Sequence, residues 1–147
     1  MSINKSYRGR LNDTEIETIS LKTNNGKTGY RIKKFQGLPG LPGNDNFESV
    51  VKIYSIPQTT ATNDMDFNDS TLLAALFYTS YGVGGANTDV VIFDNTTFNQ
   101  DIFVTYNETG GGASGETFNF YIELEVVPLS DIEATMATLK DIRAIKA

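Results

Sequence analysis

The sequence contains no cysteine, no histidine and no tryptophan. Without cysteine there is no disulfide and no thiolate, so the chain tolerates oxidising and reducing compartments equally. Losing histidine as well removes Ser-His triads, Cys nucleophiles and the ordinary zinc and iron ligand sets. Tryptophan, the commonest sugar-stacking residue, is missing, although seven Tyr could substitute. No apolar run is long enough to cross a bilayer. The first residues, Met1-Ser2-Ile3-Asn4-Lys5, have no apolar core and do not read as a signal peptide. The sequons at Asn12, Asn68, Asn95 and Asn107 accordingly read as turn sequences.

Charge of one sign is also missing over a long stretch. Residues 53–139 hold twelve Asp/Glu and not one Lys or Arg. Residues 1–52 hold nine Lys/Arg against five Asp/Glu, a net of +4. Residues 140–147 add three basic side chains and one acidic, which brings the total to −6. The acidic sum argues against nucleic acid as the main partner. The uneven placement suits a body that presents one sign to a large partner or to copies of itself.

What is present is β-forming. The chain has 147 residues, long enough for one domain with a real core. In Phe118–Val126 the apolar residues Phe118, Phe120, Ile122, Leu124 and Val126 alternate with Asn119, Tyr121, Glu123 and Glu125. A period of two is a half-buried strand. Further strands are expected at Glu15–Thr23, Thr28–Gln36, Phe47–Ile56, Thr71–Tyr81, Val90–Phe93 and Asp101–Tyr106. The turn Asn24-Asn25-Gly26-Lys27 is expected to close a hairpin between the first two, and Asp94–Thr97 to join the last two as a pair. Gly37-Leu38-Pro39-Gly40-Leu41-Pro42-Gly43 reads as an extended, semi-rigid surface loop. Gly82–Asn87 and Thr109–Gly115 read as flexible loops.

Ser130-Asp131-Ile132-Glu133 is a capping box that opens a helix running to about Ile145. Ile132, Met136, Leu139 and Ile142 form one apolar stripe, expected to pack on the chain's own sheets or on a neighbouring subunit. The expected architecture is therefore all-β: an antiparallel, jelly-roll-like sandwich over residues 13–129, with a basic N-terminal arm (1–12) and a C-terminal amphipathic helix (130–147).

Candidate chemistry is sparse. The glycine runs lack the Lys-Ser/Thr and strand–helix context of a phosphate loop. Glu123 and Glu125 would lie about 7 Å apart on one strand face, inside the inverting-glycosidase range. Any alternating strand with two outward Glu shows this spacing, so no enzyme is expected. Asp64, Asp66 and Asn68 match the start of an EF-hand loop, but Asp69 replaces its glycine and Ala75 its last ligand. A solvated acidic loop is the default for Asp64–Asp69, with a looser calcium site as the alternative, so no metal site is assigned and no cofactor is expected.

Phe47–Thr59, Asp69–Tyr78, Val91–Tyr106 and Asn119–Ile145 together resemble a family of small virion structural proteins of marine tailed phages. The resemblance covers most of the chain after Phe47 and carries no site motif. It implies a virion location and a shell-associated role, a capsid decoration (cement) protein first and a neck or tail connector second. It also implies multiple copies, and partners among virion proteins such as the major capsid protein, with no membrane partner. The residues expected to make those contacts are Lys5, Arg8 and Arg10 in the arm, and Leu38 and Leu41 in the Leu-Pro loop. A β-sandwich glycan-binding or adhesin module, using loops 60–69 and 82–87, is the competing expectation.

Overall fold

The computed structural model describes residues 3–41, 47–81, 85–93, 96–109 and 117–146. Eight strands form two antiparallel sheets. They are β1 (Ile3–Leu11), β2 (Ile16–Ile19), β3 (Thr28–Pro39), β4 (Phe47–Tyr54), β5 (Leu72–Tyr81), β6 (Gly85–Ile92), β7 (Ile102–Thr109) and β8 (Phe118–Pro128). One helix follows, α1 (Asp131–Lys146). The smaller sheet has the order β1-β8-β3, the larger β2-β7-β4-β5-β6. The fold is the expected all-β sandwich with a C-terminal helix.

The order has a simple logic. Eight strands rolled up as one long hairpin pair 1 with 8, 2 with 7, 3 with 6 and 4 with 5, the wrap of a jelly roll. Three of those rungs are made here. The fourth is not: β6 adds to the far side of β5, while β3 keeps only β8 as its strand partner. The edge of β3 is covered at one point, where Tyr30 exchanges both backbone hydrogen bonds with Phe98.

The alternation read in the last strand fixes the core. Phe118, Phe120, Ile122 and Leu124 are buried against Val51, Ile53, Leu76, Val104 and Tyr106 of the other sheet. The Phe118 ring stacks on Tyr106 with centroids 5.6 Å apart and meets Tyr78 at the same distance. Phe120 lies between Gly9 of β1 and Gly37 of β3 in register. A Cβ on Gly9 would sit 2.8 Å from the Phe120 ring, and one on Gly37 would collide with Phe118. Glycine in these two strands makes room for two aromatic rings.

Several pairings differ from the expectation. The turn at Asn24–Lys27 exists, with Gly26 at φ 68°. It does not close a hairpin: β2 pairs with β7 in one sheet and β3 with β8 in the other, so the turn carries the chain across the sandwich. Likewise β6 and β7 are not a pair, because each has different neighbours. Residues 3–11 of the expected arm are an edge strand, in register with β8 along its length. Leu38 and Pro39 of the expected Leu-Pro loop belong to β3. Pro42 and Gly43, Gly82–Gly84, Asp94-Asn95 and Gly110–Gly115 lie outside the described residues.

The capping box is formed as read. Glu133 N–H donates to Ser130 Oγ and Ser130 N–H to Glu133 Oε1, each at 3.2 Å. The stripe is not buried on the sandwich. The helix instead turns Ala134 and Thr138 inward, where Asn99 Nδ2 donates to the Ala134 carbonyl, the Thr138 hydroxyl and the Gly26 carbonyl. Small side chains let the helix approach that amide closely, and Ile132, Met136 and Leu139 are left exposed. The Ile142 side chain lies outside the described set.

Candidate functional site: the outer face of the smaller sheet

Side chains of β1, β8 and β3 that point away from the core line up in rows across the sheet. The register gives Asn4–Glu125–Arg31, Ser6–Glu123–Lys34, Arg8–Tyr121–Gln36 and Arg10–Asn119–Leu38. A bulge between Ile32 and Lys34 sets which lysine stands opposite Glu123. Two basic edge strands thus flank a central strand that carries the two acids.

The first two rows are compensated. Arg31 Nη1 lies 3.8 Å from Glu125, and its Nε donates to the Thr97 hydroxyl. Glu123 accepts from the Tyr121 hydroxyl at 3.2 Å and from Asn4 Nδ2 at 3.4 Å. The carboxylate pair singled out by its spacing is therefore engaged in cross-strand and same-strand contacts.

The other two rows are uncompensated. Among the described residues neither Arg8 nor Arg10 has a carboxylate within ion-pair reach. Arg10 is oriented by Thr117, whose hydroxyl accepts from Nε at 2.9 Å and from Nη2 at 2.7 Å. Thr117 in turn accepts from Gly40 N–H through its carbonyl, so the end of β3 and the start of β8 hold the guanidinium in place. Leu38 completes the fourth row with two thirds of its surface exposed, an apolar side chain that is costly to leave wet.

Beside Leu38 the unmade β3–β6 rung opens a groove of about 510 Å³. Gln36, Leu38, Asn119 and Tyr121 form one wall, Thr88 and Val90 of β6 the other. Its lining is mostly apolar and includes the amides of Gln36 and Asn119 and the hydroxyl-bearing Thr88 and Tyr121. Guanidinium groups, an exposed leucine and an open slot thus share one end of one sheet face.

Of the five expected contact residues, Arg8, Arg10 and Leu38 come together here. Lys5 does not: it falls on the opposite face, opposite Leu124, with its ammonium 6.0 Å from the Tyr30 ring centre. Leu41 lies past the end of β3 and is exposed. Tyr121, Gln36 and Val90 were missed. Tyr121 was visible as an outward position of the alternating strand, whereas Val90 reaches the site only through the topology.

The acidic loop ahead of β5 is built differently. Lys52 on β4 is almost wholly buried beneath it. The Lys52 ammonium donates to the Asp64 carbonyl and the Thr62 hydroxyl and lies 5.5 Å from the Tyr54 ring centre. Burial lowers its pKa, while Asp64 and Asp69 pull it back up. Asp66 accepts from Asn68 N–H, and Asp69 from the N–H and hydroxyl of Thr71. These carboxylates cap their own turns around an internal ammonium. Among the described residues no three acidic side chains are gathered into a metal-binding set.

No family model and no curated protein matches this chain. The class that the fold defines is an antiparallel, jelly-roll-like β-sandwich whose smaller sheet has basic edge strands and, among the described residues, no covering element.

Proposed function

We propose that the protein is a non-enzymatic virion structural protein, a capsid decoration protein that docks by the outer face of its smaller sheet. One observation carries the reading. Among the described residues Arg8 and Arg10 have no acidic partner and no element covers their face, which they share with exposed Leu38 and the open groove. A partner surface that is acidic and offers an apolar side chain to the slot complements it. The interface would bury Leu38 and Val90 and neutralise two cations, the combination that gives orientation and association rate. The virion setting rests on the resemblance noted in the sequence and belongs to the proposal.

The remaining virion alternative, a neck or tail connector, uses the same face and differs in copy number. The glycan-module reading is less favoured, because Asp66 and Asp69 in its expected loop are spent on local turns. Quantitative mass spectrometry of purified particles tests the proposal. A copy number close to that of the major shell protein supports decoration. A number near that of a portal or tail ring moves the protein to the neck or tail, and complete absence removes the virion reading.

A further inference from the structure

The helix α1 exposes the wrong face for a helix that only has to cover its own sandwich. Ala134 is buried and Thr138 half-buried against the body, whereas Ile132, Met136 and Leu139 are 73%, 66% and 45% exposed. These three lie at spacings of four and three, one continuous seam on the side away from the sheets. A shallow apolar groove runs along the same helix beside Met136, Ala137 and Leu139. Glu133 and Lys140, both exposed, follow Ile132 and Leu139 by one residue. They are seven residues apart, so they share one flank of the seam.

We propose that this seam pairs with the same helix of a second copy, antiparallel, about a two-fold axis at Met136. The charges select the partner and the direction. In an antiparallel pair each flank meets its own copy, so Glu133 of each helix faces Lys140 of the other, twice. In a parallel pair the charged flank would meet the opposite flank, which carries Thr135 and Asp131, so Lys140 would find no acid at its level and Glu133 would approach an acid. The apolar positions agree. Ile132 lies four residues before Met136 and Leu139 three after, so Ile132 falls within about 1.5 Å, along the axis, of Leu139 in the second copy. The seam is much smaller than a standard interface, so the pair is weak between free molecules. It strengthens when copies are held side by side, as on a shell, where effective concentration replaces buried area. The inference itself does not require a virion, and its failure would leave the proposed docking face untouched.

The cysteine-free chain makes the test direct. Single variants Ile132→Cys, Met136→Cys and Leu139→Cys are oxidised at high protein concentration and the dimer yield is measured. Each site is at least 45% exposed, so folding should be retained, which circular dichroism checks. The antiparallel pair predicts rapid cross-linking of Met136→Cys, little of Ile132→Cys alone, and mixed dimers when Ile132→Cys and Leu139→Cys are combined. In an antiparallel pair two Ile132 positions are about 12 Å apart along the axis, beyond disulfide reach. Equal yields at all three sites, or none at Met136→Cys, would overturn the proposal. A second readout uses charge: Lys140→Glu and Glu133→Lys should each self-associate more weakly than the parent chain, and a mixture of the two should recover association, with circular dichroism first showing that Glu133→Lys, which also removes the capping-box acceptor, keeps the parent's helix content. A mixture that stays monomeric also overturns it.

Discussion

The two sheets of the sandwich treat their outer faces in opposite ways. The strands of the smaller sheet carry six Lys/Arg and two Asp/Glu, a net of +4. The strands of the larger carry one Lys and four Asp/Glu, a net of −3. More telling is what covers them. In the larger sheet Val50, Lys52, Ala75 and Thr105 point away from the core yet are buried, because residues 55–71 fold over them. Lys52 is held by that loop, and Asn107 donates to the Ala61 carbonyl within it. The smaller sheet has no such roof among the described residues, and Arg8, Arg10, Gln36 and Leu38 meet solvent. Among the described residues, then, one sheet is roofed and the other presents its outer face to solvent, the face on which the proposed docking rests.

The comparison can be broken in the middle first. Phe118→Ala removes the ring that stacks on Tyr106 and Tyr78 and so joins the two sheets. It should cost about 3–5 kcal/mol, read as a lower urea midpoint. Gly37→Val drives a side chain into Phe118 from the edge strand and should cost about 1–3 kcal/mol in the same assay. The equivalent change at exposed Lys22 should be nearly silent.

Lys52→Met tests the roof. The Asp64 carbonyl and the Thr62 hydroxyl lose their donor, which should cost about 1–3 kcal/mol near neutral pH. The pH dependence sharpens this. The folded state lowers the Lys52 pKa by burial, so it binds that proton less tightly than the unfolded chain does. The penalty for a buried ammonium is fully present below the folded pKa. It is relieved as pH rises from there toward the unfolded value of about 10.4. The parent chain should therefore gain stability relative to Lys52→Met across that window. The tyrosines common to both chains largely cancel in the difference, and a flat difference would contradict the burial of the charge.

The smallest effect lies at the helix cap. Ser130→Ala should cost about 1 kcal/mol. Hydrogen bonds from the Ser130 backbone and side chain lower the Glu133 pKa. That contribution is present above the ordinary carboxylate value and fades as pH falls through the lowered one. Ser130→Ala should reduce this acid limb only in part in a pH-dependent melt, because the backbone N–H of residue 130, the larger cause, is kept.

Much of this fold was legible, for identifiable reasons. Phe118–Val126 alternates because one face meets the core and the other meets water. Thr71–Tyr81 reads as a continuous apolar run because the loop over the larger sheet buries its second face too. The capping box works at three residues' range, so it could be read and was formed. Pairing was not legible. The turn at Asn24–Lys27 is correct locally, but nothing in four residues tells whether the strands on either side join or part. The sheet face carrying Arg8, Arg10 and Leu38 depends on the same long-range register, which is why Lys5 was grouped with them and Tyr121 was not. The helix stripe misled for another reason. Spacing shows that Ile132, Met136 and Leu139 share a face, but only Asn99 and Gly26, far away in sequence, decide that the small-residue face is the inner one.

The most direct measurement is occupancy on purified particles of two double variants, one on each sheet. Arg8→Glu with Arg10→Glu reverses the charge of the outer face of the smaller sheet, and Glu48→Lys with Asp89→Lys makes a matched change on strands of the larger sheet. Both variants must first show the parent's melting profile. The account predicts loss of bound protein for the arginine pair and near-normal occupancy for the acidic pair. Unchanged occupancy of Arg8→Glu with Arg10→Glu would contradict it.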